Sequence, residues 1–566
     1  MKVLIVGGVA GGATAAARIR RLDESAEIII LERSGFISYA NCGLPYYIGG
    51  VIESKQALTL QTPESFWQRF HIEVRVKNEV TEILPNSKKI KVKNLVDGTE
   101  YEETYDKLIL SPGARAIRPA FPGIDDDRIM TLRTVEDTYY IREYLEKNKP
   151  ERAVVIGGGF IGLEMAENLM HTGIDTVMLQ RENQVMQPLD YDMACEVHSY
   201  LRAQGLDLRL NETVKGFSKS NDKVGVLLEN GDSVEADMVI LAIGVAPEST
   251  LAKAAGLKLG ARDAISVNEK METSEPDIYA VGDAVEIKNL VTGEKGLISL
   301  AGPANKQGRI AADQICGINS SFKGAQGSSI LKLFDMTIAT TGINERAAME
   351  NHISYDKTVT YSASHAVYYP GAANMTIKTI YAPEDGKILG AQIVGFDGVD
   401  KRIDVLATAL RANMKAEELE ELDLAYAPPY SSAKDPVNMA GYVIGNLRSG
   451  LVKQYHWHEL EEIKENADNT ILDVRTKNEF SLGRIPGAVN IPVDELREHI
   501  QELDKTKKIY VNCYSGLRSY IACRILTQAG YDCYNLSGGY RFYEYIAGDK
   551  NYDSNARHLC GIEIEK

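Results

Sequence analysis

The chain has 566 residues, enough for about three to four domains, and 44% of them are hydrophobic, as ordinary globular cores require. Its net charge of −16 disfavours non-specific binding to nucleic acid. No apolar run approaches the length of a membrane span and the first strand begins at residue 3, so we expect a cytoplasmic protein without a membrane partner. The seven cysteines contain no C-x-x-C pair, so we predict neither a metal site nor a disulfide scaffold.

The chain opens with an apolar strand, a glycine-rich turn and the start of a helix. Glycines in such a turn let the pyrophosphate of a dinucleotide approach backbone amides at the helix N-terminus. About twenty residues further on, a second apolar strand ends in Glu32, which is placed to accept hydrogen bonds from a ribose. This pattern predicts a dinucleotide site whose turn contains Gly7, Gly8, Ala10, Gly11 and Gly12.

The first helix is predicted to run from about Gly11 to Leu22, with Thr14, Arg18 and Arg21 on one face. Two guanidinium groups and a hydroxyl near a redox centre suit bidentate binding of phosphates. The alternative is a basic face turned to solvent, which is the commoner meaning of such a pattern taken alone.

A single cysteine, Cys42, follows the second strand and should therefore lie near the bound cofactor. A lone cysteine beside a redox cofactor suggests a thiol that exchanges electrons. The alternative is a buried structural cysteine, because free cysteine often behaves as a small hydrophobic residue. The flanking Asn41 and Gly43 are not typical of a core, so we favour the redox thiol.

A second strand, glycine turn and helix begins at Ala153 and contains Gly157, Gly159 and Gly162. One such motif is weak evidence, but two motifs about 150 residues apart predict two dinucleotides, one for each unit. The strand after this turn ends in Gln180 and Arg181. A carboxylate there would favour NAD and a basic residue would accommodate the phosphate of NADP, so the sequence leaves the coenzyme open.

The segment from Met238 to Gly244 returns the chain to the first domain, and a short strand then ends in Gly282 and Asp283, before a predicted helix. Asp283 is placed to meet the ribityl hydroxyls of a flavin. A helix-capping role for this aspartate is the alternative, and the two roles are compatible.

The region from about Ser328 to Gly445 lacks a nucleotide motif and predicts a separate α/β domain, a candidate for dimerisation. It contains Tyr368 and Tyr426, each close to a proline, in a setting that more often serves packing.

The last module begins after a predicted linker at 446–457. Its strand from Lys508 ends at Cys513, and the loop Cys513–Arg518 leads into a helix. The amides of such a loop can stabilise an anion on the cysteine sulfur.

Residues 1–445 resemble the flavin-dependent pyridine nucleotide–disulfide oxidoreductases, through the paired glycine turns, the Gly282-Asp283 pair and the α/β domain that follows. Two-cysteine members carry C-x4-C after the second strand, whereas here the second position is Tyr47. The single-cysteine branch comprises NADH peroxidases and oxidases, and coenzyme A-disulfide reductases. The former place a histidine in the first glycine turn, where this chain has Ala10.

The sequence around Cys42, Ser-Tyr-Ala-Asn-Cys-Gly-Leu-Pro-Tyr, and Tyr-Ala-Pro-Pro-Tyr-Ser-Ser-Ala-Lys-Asp from Tyr426 look like the coenzyme A-disulfide reductases. The resemblance implies that Cys42 forms a mixed disulfide with coenzyme A, and that Tyr368 and Tyr426 reach the sulfur from the partner subunit of a homodimer. The residues that it implies for coenzyme A are Thr14, Arg18, Arg21, Ser38, Asn41 and Lys434.

The same resemblance implies FAD in the first unit and NADH or NADPH in the second. Besides the turn residues and Glu32 given above, it implies cofactor contacts from Arg33, Val80, Ser111, Gly113, Arg133, Phe160, Ile161, Gln180, Gly244, Gly282, Asp283, Ala301 and Ala304.

Residues from about 455 to 560 resemble a rhodanese domain, with Cys513 as the nucleophile and Arg518 closing a C-x4-R loop. Related phosphatases use a longer C-x5-R loop, so sulfur is favoured as the transferred atom. Arg484 stands where rhodaneses often have histidine. Fusions of this kind are described as coenzyme A-persulfide or polysulfide reductases, in which Cys513 would shuttle sulfane sulfur.

The expected fold is therefore α/β, with two Rossmann-like domains, an α/β dimerisation domain and a C-terminal α/β rhodanese domain. The expected ranges are 1–112 with 245–322 for FAD, 113–244 for NAD(P)H, 326–445 for dimerisation and 458–560 for the rhodanese domain. Two rival functions stay open: an NADH oxidase or peroxidase that uses a Cys42 sulfenate, and a rhodanese-type sulfur carrier with a flavin scaffold. The sequence also leaves open disulfide, persulfide or polysulfide as the substrate, and coenzyme A as substrate or prosthetic group.

Overall fold

The computed structural model describes residues 1–219 and 222–552. The chain divides into two compact units. The first consists of 1–185 and 206–327, and the second consists of 186–205 and the residues from 328 onward. The short segment 186–205 lies within the range 113–244 expected for the NAD(P)H domain, but it belongs to the second unit. Its side chains form ion pairs and hydrogen bonds with other residues of that unit.

The first unit contains two five-stranded parallel sheets that share the order of four strands, while the fifth, an edge strand, comes last along the chain in the first sheet and first in the second. Their strands are near-continuous runs of Val, Ile and Leu, as expected for parallel strands that helices cover on both faces. In spatial order, the first sheet is Ile278–Ala280, Lys107–Leu110, Lys2–Val6, Glu27–Glu32 and Glu73–Val76. The second sheet is Ile129–Met130, Met238–Leu241, Arg152–Ile156, Asp175–Leu179 and Asp207–Arg209.

Small sheets complete the first unit, and one of them, which is antiparallel, joins the two parallel-sheet regions by pairing Ala114–Ala116 with Val245–Pro247. The others are Ile37–Tyr39 with Thr59–Gln61; Asn78–Leu84, Lys89–Asn94 and Glu100–Thr104; Val214–Lys219, Val224–Leu228 and Ser233–Ala236; and Ile265–Ser266, Val285–Lys288 and Lys295–Gly296. The helices are Ala10–Leu22, Leu44–Ile48, Lys55–Leu58, Pro63–Phe70, Val135–Asn148, Phe160–His171, Thr250–Ala254 and Ala301–Ile315.

The second unit contains an antiparallel sheet and a parallel sheet. The antiparallel sheet is Ser329–Leu333, Met336–Gly342, Ile388–Gly395, Asn374–Tyr381 and Asp356–Ala363, with helices Tyr191–Ala203, Glu345–Glu350, Val399–Arg411 and Pro436–Arg448. The parallel sheet is Lys453–Tyr455, Cys533–Leu536, Lys508–Asn512, Asn469–Asp473 and Val489–Asn490, with helices Leu460–Glu465, Lys477–Leu482, Leu496–His499, Leu517–Gln528 and Gly539–Lys550.

The fold class expected from the sequence is confirmed, but the predicted linker 446–457 is wrong in part. The helix from Pro436 continues to Arg448, and Lys453–Tyr455 pairs with Tyr534–Leu536 as the edge strand of the parallel sheet. The connection is therefore only a few residues long. The end of the expected range 458–560 lies outside the described residues.

A fully buried lysine, Lys378, lies at the centre of the second unit. Its ammonium group is 2.7 Å from Asp192 and 3.0 Å from Asp190, and it also contacts Glu345. Burial by itself would lower the pKa of Lys378, but the three carboxylates outweigh it and raise the pKa. The indole of Trp457, just before the parallel sheet's first helix, donates to Asp192 at 3.2 Å.

The helix Tyr191–Ala203 also holds the C-terminal helix Gly539–Lys550. Asp549 accepts hydrogen bonds from Arg202 at 2.6 Å and Tyr191 at 3.0 Å, and Glu196 lies 3.4 Å from Arg541. These contacts give the physical reason why residues 186–205 belong to the second unit.

Among the described residues, no helix combines the length and apolar character that crossing a bilayer requires.

We expect Lys378→Ala to lower the free energy of unfolding of the second unit by about 3–5 kcal/mol, because it leaves three buried carboxylates without their cation. Urea unfolding followed by tryptophan fluorescence would measure this loss. Lys332→Ala, at an exposed position of the same sheet, is the matched control and should change stability by less than about 0.5 kcal/mol. Equal effects of both substitutions would contradict the account.

Candidate functional site

The first glycine turn is closed by contacts that leave no room for side chains. Gly7 has φ +95°, and an added Cβ would lie 2.1 Å from Ser111 O. A Cβ on Gly12 would lie 2.0 Å from Gly7 O. The carboxylate of Glu32, at the end of the second strand, accepts from the Gly8 amide at 2.9 Å. The turn therefore presents bare backbone at the start of helix Ala10–Leu22, which fits the pyrophosphate of a dinucleotide.

The second glycine turn repeats this construction. Gly157 has φ +106°, with Ala242 O 2.4 Å from an added Cβ, and a Cβ on Gly162 would lie 1.8 Å from Gly157 O. The Gln180 side chain takes the place of Glu32, since its oxygen accepts from the Gly158 amide at 2.9 Å. Its nitrogen donates to Gln184 O at 3.0 Å. This strand end is therefore neutral, and the neighbouring Arg181 is exposed and paired with Glu182.

The structure brings the predicted flavin residues of distant segments to the first turn. Arg133 donates to Asp283 at 2.9 Å, and the Gly282 amide donates to Gln307 at 2.7 Å. Gln307 lies on helix Ala301–Ile315, whose Ala304 O would lie 3.5 Å from a Cβ added to Gly11. Most of the other predicted cofactor positions lie at the ends of elements of the same unit. Ser111, Gly113 and Gly244 follow strands, Phe160 and Ile161 begin the helix after the second glycine turn, and Ala301 begins its own helix. Val80 is buried, and Arg33 lies 3.8 Å from Glu248.

The helix that the sequence predicts directly after Asp283 is absent. Gly282, with φ +83°, and Asp283 form a single turn that leads into the strand Val285–Lys288. In that strand, Val285 and Glu286 pair in parallel with Ile265 and Ser266. The next helix begins only at Ala301.

Cys42 lies in a short turn, Asn41–Gly43, and is exposed, which excludes the buried structural cysteine considered above. With its amide oxygen turned toward Arg133, Asn41 accepts from Arg133 Nη1 at 2.8 Å. Partial burial by the surrounding protein raises the pKa of the Cys42 thiol, and the carboxylates of Glu164 and Asp283 raise it further, whereas Arg133 lowers it.

The three side chains predicted on one face of the first helix line one cavity of about 240 Å³. Thr14 donates to Asn305 at 2.6 Å, and Arg18 donates to Asp313 at 2.8 Å. Arg20, on a different face of the helix, is buried and donates to backbone carbonyls that include Phe70 O. The full lining is Thr14, Arg18, Arg21, Asn305, Lys306 and Arg309.

Asn305, Lys306 and Arg309 were not predicted from the sequence, although their i, i+1 and i+4 spacing on helix Ala301–Ile315 was a usable signal. Ser38 precedes the redox turn with φ +44°, and its amide donates to Gly8 O at 2.8 Å. This bond fixes the segment that leads to Cys42 against the first glycine turn.

In the second unit, the hydroxyls of Tyr368 and Tyr426 lie 3.0 Å apart, and the Tyr368 side chain is 73% exposed. The hydrogen bond between them raises the pKa of Tyr368. Lys434 is exposed in the turn before helix Pro436–Arg448. Its neighbour Asp435 caps that helix and accepts from the buried Arg402 at 2.9 Å.

The loop after Cys513 wraps its sulfur. The sulfur accepts from the Gly516 amide at 3.1 Å and from the Ser519 hydroxyl at 3.3 Å. Gly516 has φ +103°, which aims its amide inward. Arg518 does not face the sulfur in these contacts but makes two hydrogen bonds to Glu479, at 2.8 and 2.6 Å. Arg484, at the position of the rhodanese histidine, lies over the Phe480 ring.

Two nucleotide turns, one exposed cysteine beside the first of them and an antiparallel domain define a flavin-type disulfide oxidoreductase. The chain belongs to the pyridine nucleotide-disulphide oxidoreductase family, which matches residues 1–308. The dimerisation domain of that family matches residues 328–436, and a rhodanese-like domain matches residues 456–544.

Particular relatives are similar over most of their length. A coenzyme A disulfide reductase of Staphylococcus aureus (strain JH9) is 37% identical over 442 residues, which is 78% of this chain and 99% of that protein. The structure of reduced Bacillus anthracis CoADR-RHD has 49% identity and a TM-score of 0.95, covering 97% of this chain and 98% of that chain. An NAD-dependent persulfide reductase from A. fulgidus has 39% identity and a TM-score of 0.90, covering 96% and 100%.

We expect Gln180→Glu to lower kcat/KM for NADPH relative to NADH by about tenfold, because a carboxylate at this strand end repels the 2′-phosphate and accepts from the ribose hydroxyls. The measurement is NADH and NADPH oxidation by the FAD-loaded enzyme. Gln528→Glu, an exposed position in the second unit, is the control. A coenzyme ratio that stays at the wild-type value in Gln180→Glu would show that this strand end does not read the ribose.

Proposed function

We propose that this protein is an FAD-dependent NAD(P)H reductase of coenzyme A disulfides and coenzyme A persulfides. The family and the similar proteins support this reaction class, and two closed glycine turns support one site for each dinucleotide. FAD supplies two-electron redox chemistry between a reduced nicotinamide and a disulfide when it is bound in the first unit.

The observation that carries the proposal is the cation-lined cavity on helices Ala10–Leu22 and Ala301–Ile315. Arg18, Arg21, Lys306 and Arg309 surround it, in a chain whose net charge is −16. A local cluster of four cations on an acidic protein indicates an anionic ligand, and guanidinium groups bind phosphates with paired hydrogen bonds. The phosphates of coenzyme A match this lining, and the strand Ile37–Tyr39, which contacts the first helix, leads directly to Cys42.

Cys42 is proposed to attack the sulfur of the substrate as a thiolate and to form a mixed disulfide with coenzyme A. Its exposure gives a substrate access, and Arg133 is the cation that favours its thiolate. Asn41, held by Arg133, is proposed to orient the sulfur-bearing end of the pantetheine chain near the Cys42 sulfur.

The hydrogen-bonded pair of Tyr368 and Tyr426 is proposed to donate a proton to the departing coenzyme A sulfur in a homodimer. A dimerisation domain supports the dimer, and both hydroxyls are open to a second copy of the chain. Because the two hydroxyls lie 3.0 Å apart, the one that keeps its proton can donate a hydrogen bond to the phenolate formed on the other.

Cys513 is proposed to hold sulfane sulfur as a persulfide and to pass it to the thiol of coenzyme A, with small sulfur compounds as donors. The Gly516 amide and the Ser519 hydroxyl, which already donate to this sulfur, are placed to stabilise its anion. Arg518, engaged by Glu479, is proposed to hold the loop rather than to bind the sulfur.

The roles of Cys42 and Cys513 can be distinguished by measuring anaerobic NAD(P)H oxidation in variants of each. Cys42→Ser should reduce turnover with coenzyme A disulfide and coenzyme A persulfide at least about a thousandfold, because the proposed mixed disulfide forms on the Cys42 sulfur. Cys513→Ser should keep both rates and lose only the turnover that depends on a sulfane sulfur donor plus coenzyme A. Cys316→Ser, a partly exposed thiol, is the control. Rapid oxygen consumption without coenzyme A would instead favour an oxidase, and unchanged donor-dependent turnover in Cys513→Ser would exclude the shuttle.

The cavity is tested separately with Arg309→Ala. We expect it to raise KM for coenzyme A disulfide about tenfold with kcat unchanged, since phosphate contacts far from the sulfur bind substrate and transition state equally. Lys323→Ala, which removes an exposed cation from a surface pair with Glu269, should leave KM unchanged. If the two variants behave alike, the cavity does not bind the substrate.

A further inference from the structure

The redox turn rests on the helix of the second glycine motif. The short helix Leu44–Ile48, directly after Cys42, packs against helix Phe160–His171, and a Cβ added to Gly49 would lie 2.1 Å from Asn168 Oδ1. Glu164 precedes Asn168 by four residues and therefore lies on the same side of its helix. Its carboxyl is half-buried and hydrogen-bonded to the Tyr46 hydroxyl. The packing thus places a carboxyl group beneath the redox turn.

The pKa of the Glu164 carboxyl is far from its usual value, although the proposed function gives this residue no role. Burial and, to a smaller extent, the carboxylate of Glu167 together raise the pKa of Glu164 to about 7, against the opposing effect of the hydrogen bond from Tyr46. Glu164 can therefore gain or lose a proton at neutral pH. Carboxyl groups in this condition cluster at sites of proton transfer.

Glu164 and Cys42 interact directly through charge. After burial, the Glu164 carboxylate is the largest influence that raises the pKa of Cys42, followed by Asp283, and Arg133 acts in the opposite direction. Asp283 and Arg133 are themselves paired at 2.9 Å, so much of their effect on the sulfur cancels. Tyr46 lies close to both groups, since the charges of Glu164 and Cys42 both raise its pKa. Two groups that each disfavour the other's anion titrate as a pair.

We propose that Glu164 takes up the proton which Cys42 releases. In this step Cys42–SH and Glu164–COO⁻ become Cys42–S⁻ and Glu164–COOH. One S–H bond breaks, one O–H bond forms, no electrons leave the pair, and the charge of the site stays the same. The inference rests on the proposed role of Cys42 as the redox nucleophile.

The exchange has a clear use in that reaction. Attack on a disulfide or persulfide requires the thiolate, and a second negative charge beside it would make the thiolate costly. Protonation of Glu164 removes that charge at the moment when Cys42 becomes an anion. When Cys42 is later released as a thiolate by reduction, Glu164–COOH can return the proton to it.

The test is the pH dependence of Cys42 alkylation in the FAD-loaded enzyme, after reduction with a thiol and its removal. Iodoacetamide labelling of the Cys42 peptide is followed by mass spectrometry from about pH 5 to about pH 11, because the pKa of Cys42 is raised above its usual value. Wild type should show two inflections, the lower one near the pKa of Glu164. Glu164→Gln should show one inflection, shifted downward, because the charge that raises the Cys42 pKa is gone. Labelling of Glu164→Gln should be roughly tenfold faster than that of wild type at about pH 9, where the wild-type Glu164 is ionised.

Three further variants separate proton exchange from a structural effect. Glu164→Asp should restore two inflections. Glu167→Gln should move the lower inflection to lower pH, because the Glu167 charge helps to raise the Glu164 pKa. Glu143→Gln, at an exposed helical position, should leave the profile unchanged. A Glu164→Gln profile that superimposes on wild type would overturn the proposal, as would an unmoved lower inflection in Glu167→Gln if Glu164→Gln does not fold.

The assay needs no substrate, so it is independent of the proposed function. If Cys42→Ser retains full turnover, Cys42 is not the nucleophile and the proposed function fails. If Cys42→Ser is inactive but Glu164→Gln labels like wild type, only the inference about Glu164 fails.

Discussion

The frame of the first unit depends on one type of hydrogen bond that occurs in both glycine turns. In each turn, a side chain at the end of a strand accepts a hydrogen bond from the amide of the second glycine. Glu32 does this for Gly8 and Gln180 does it for Gly158, both at 2.9 Å. The turn can close only because backbone oxygens occupy the space that side chains would need. The redox segment depends on the same turn, since the Ser38 amide donates to Gly8 O. The position of Cys42 therefore follows from the geometry of the nucleotide site.

Charge is distributed unevenly around that frame, and each part matches a chemical need. Cations gather at the cavity, where Arg21 and Arg309 suit phosphate groups. Near the sulfur the balance is finer, because one cation, Arg133, is offset by Asp283, and Glu164 carries a pKa of about 7. A thiol in such a setting can change its protonation with little change in total charge. In the second unit, buried charge has a structural use, since Lys378 joins the antiparallel sheet to residues 190–192.

The sequence allowed the local features to be predicted, because they depend on spacing within one element. The helical spacing of Thr14, Arg18 and Arg21 does bring them to one cavity, and the two glycine turns do begin helices. Features that need contacts between distant segments could not be predicted. Lys306 and Arg309 complete the cavity from a helix almost three hundred residues later. The burial of Lys378 could not be predicted either, because the carboxylates that pair with it, such as that of Asp192, lie on distant segments. The strand after Asp283 and the edge strand inside the expected linker were missed because tertiary pairing decides both.

The central claim is that Cys42 carries coenzyme A during turnover. The most direct measurement is mass spectrometry of cysteine-containing peptides, after the FAD-loaded enzyme is treated anaerobically with coenzyme A disulfide and quenched before and after addition of NADH or NADPH. The account predicts one coenzyme A on the Cys42 peptide before the reductant is added and its loss afterwards. Coenzyme A on a different cysteine, or an adduct at Cys42 that the reduced coenzyme does not release, would contradict it.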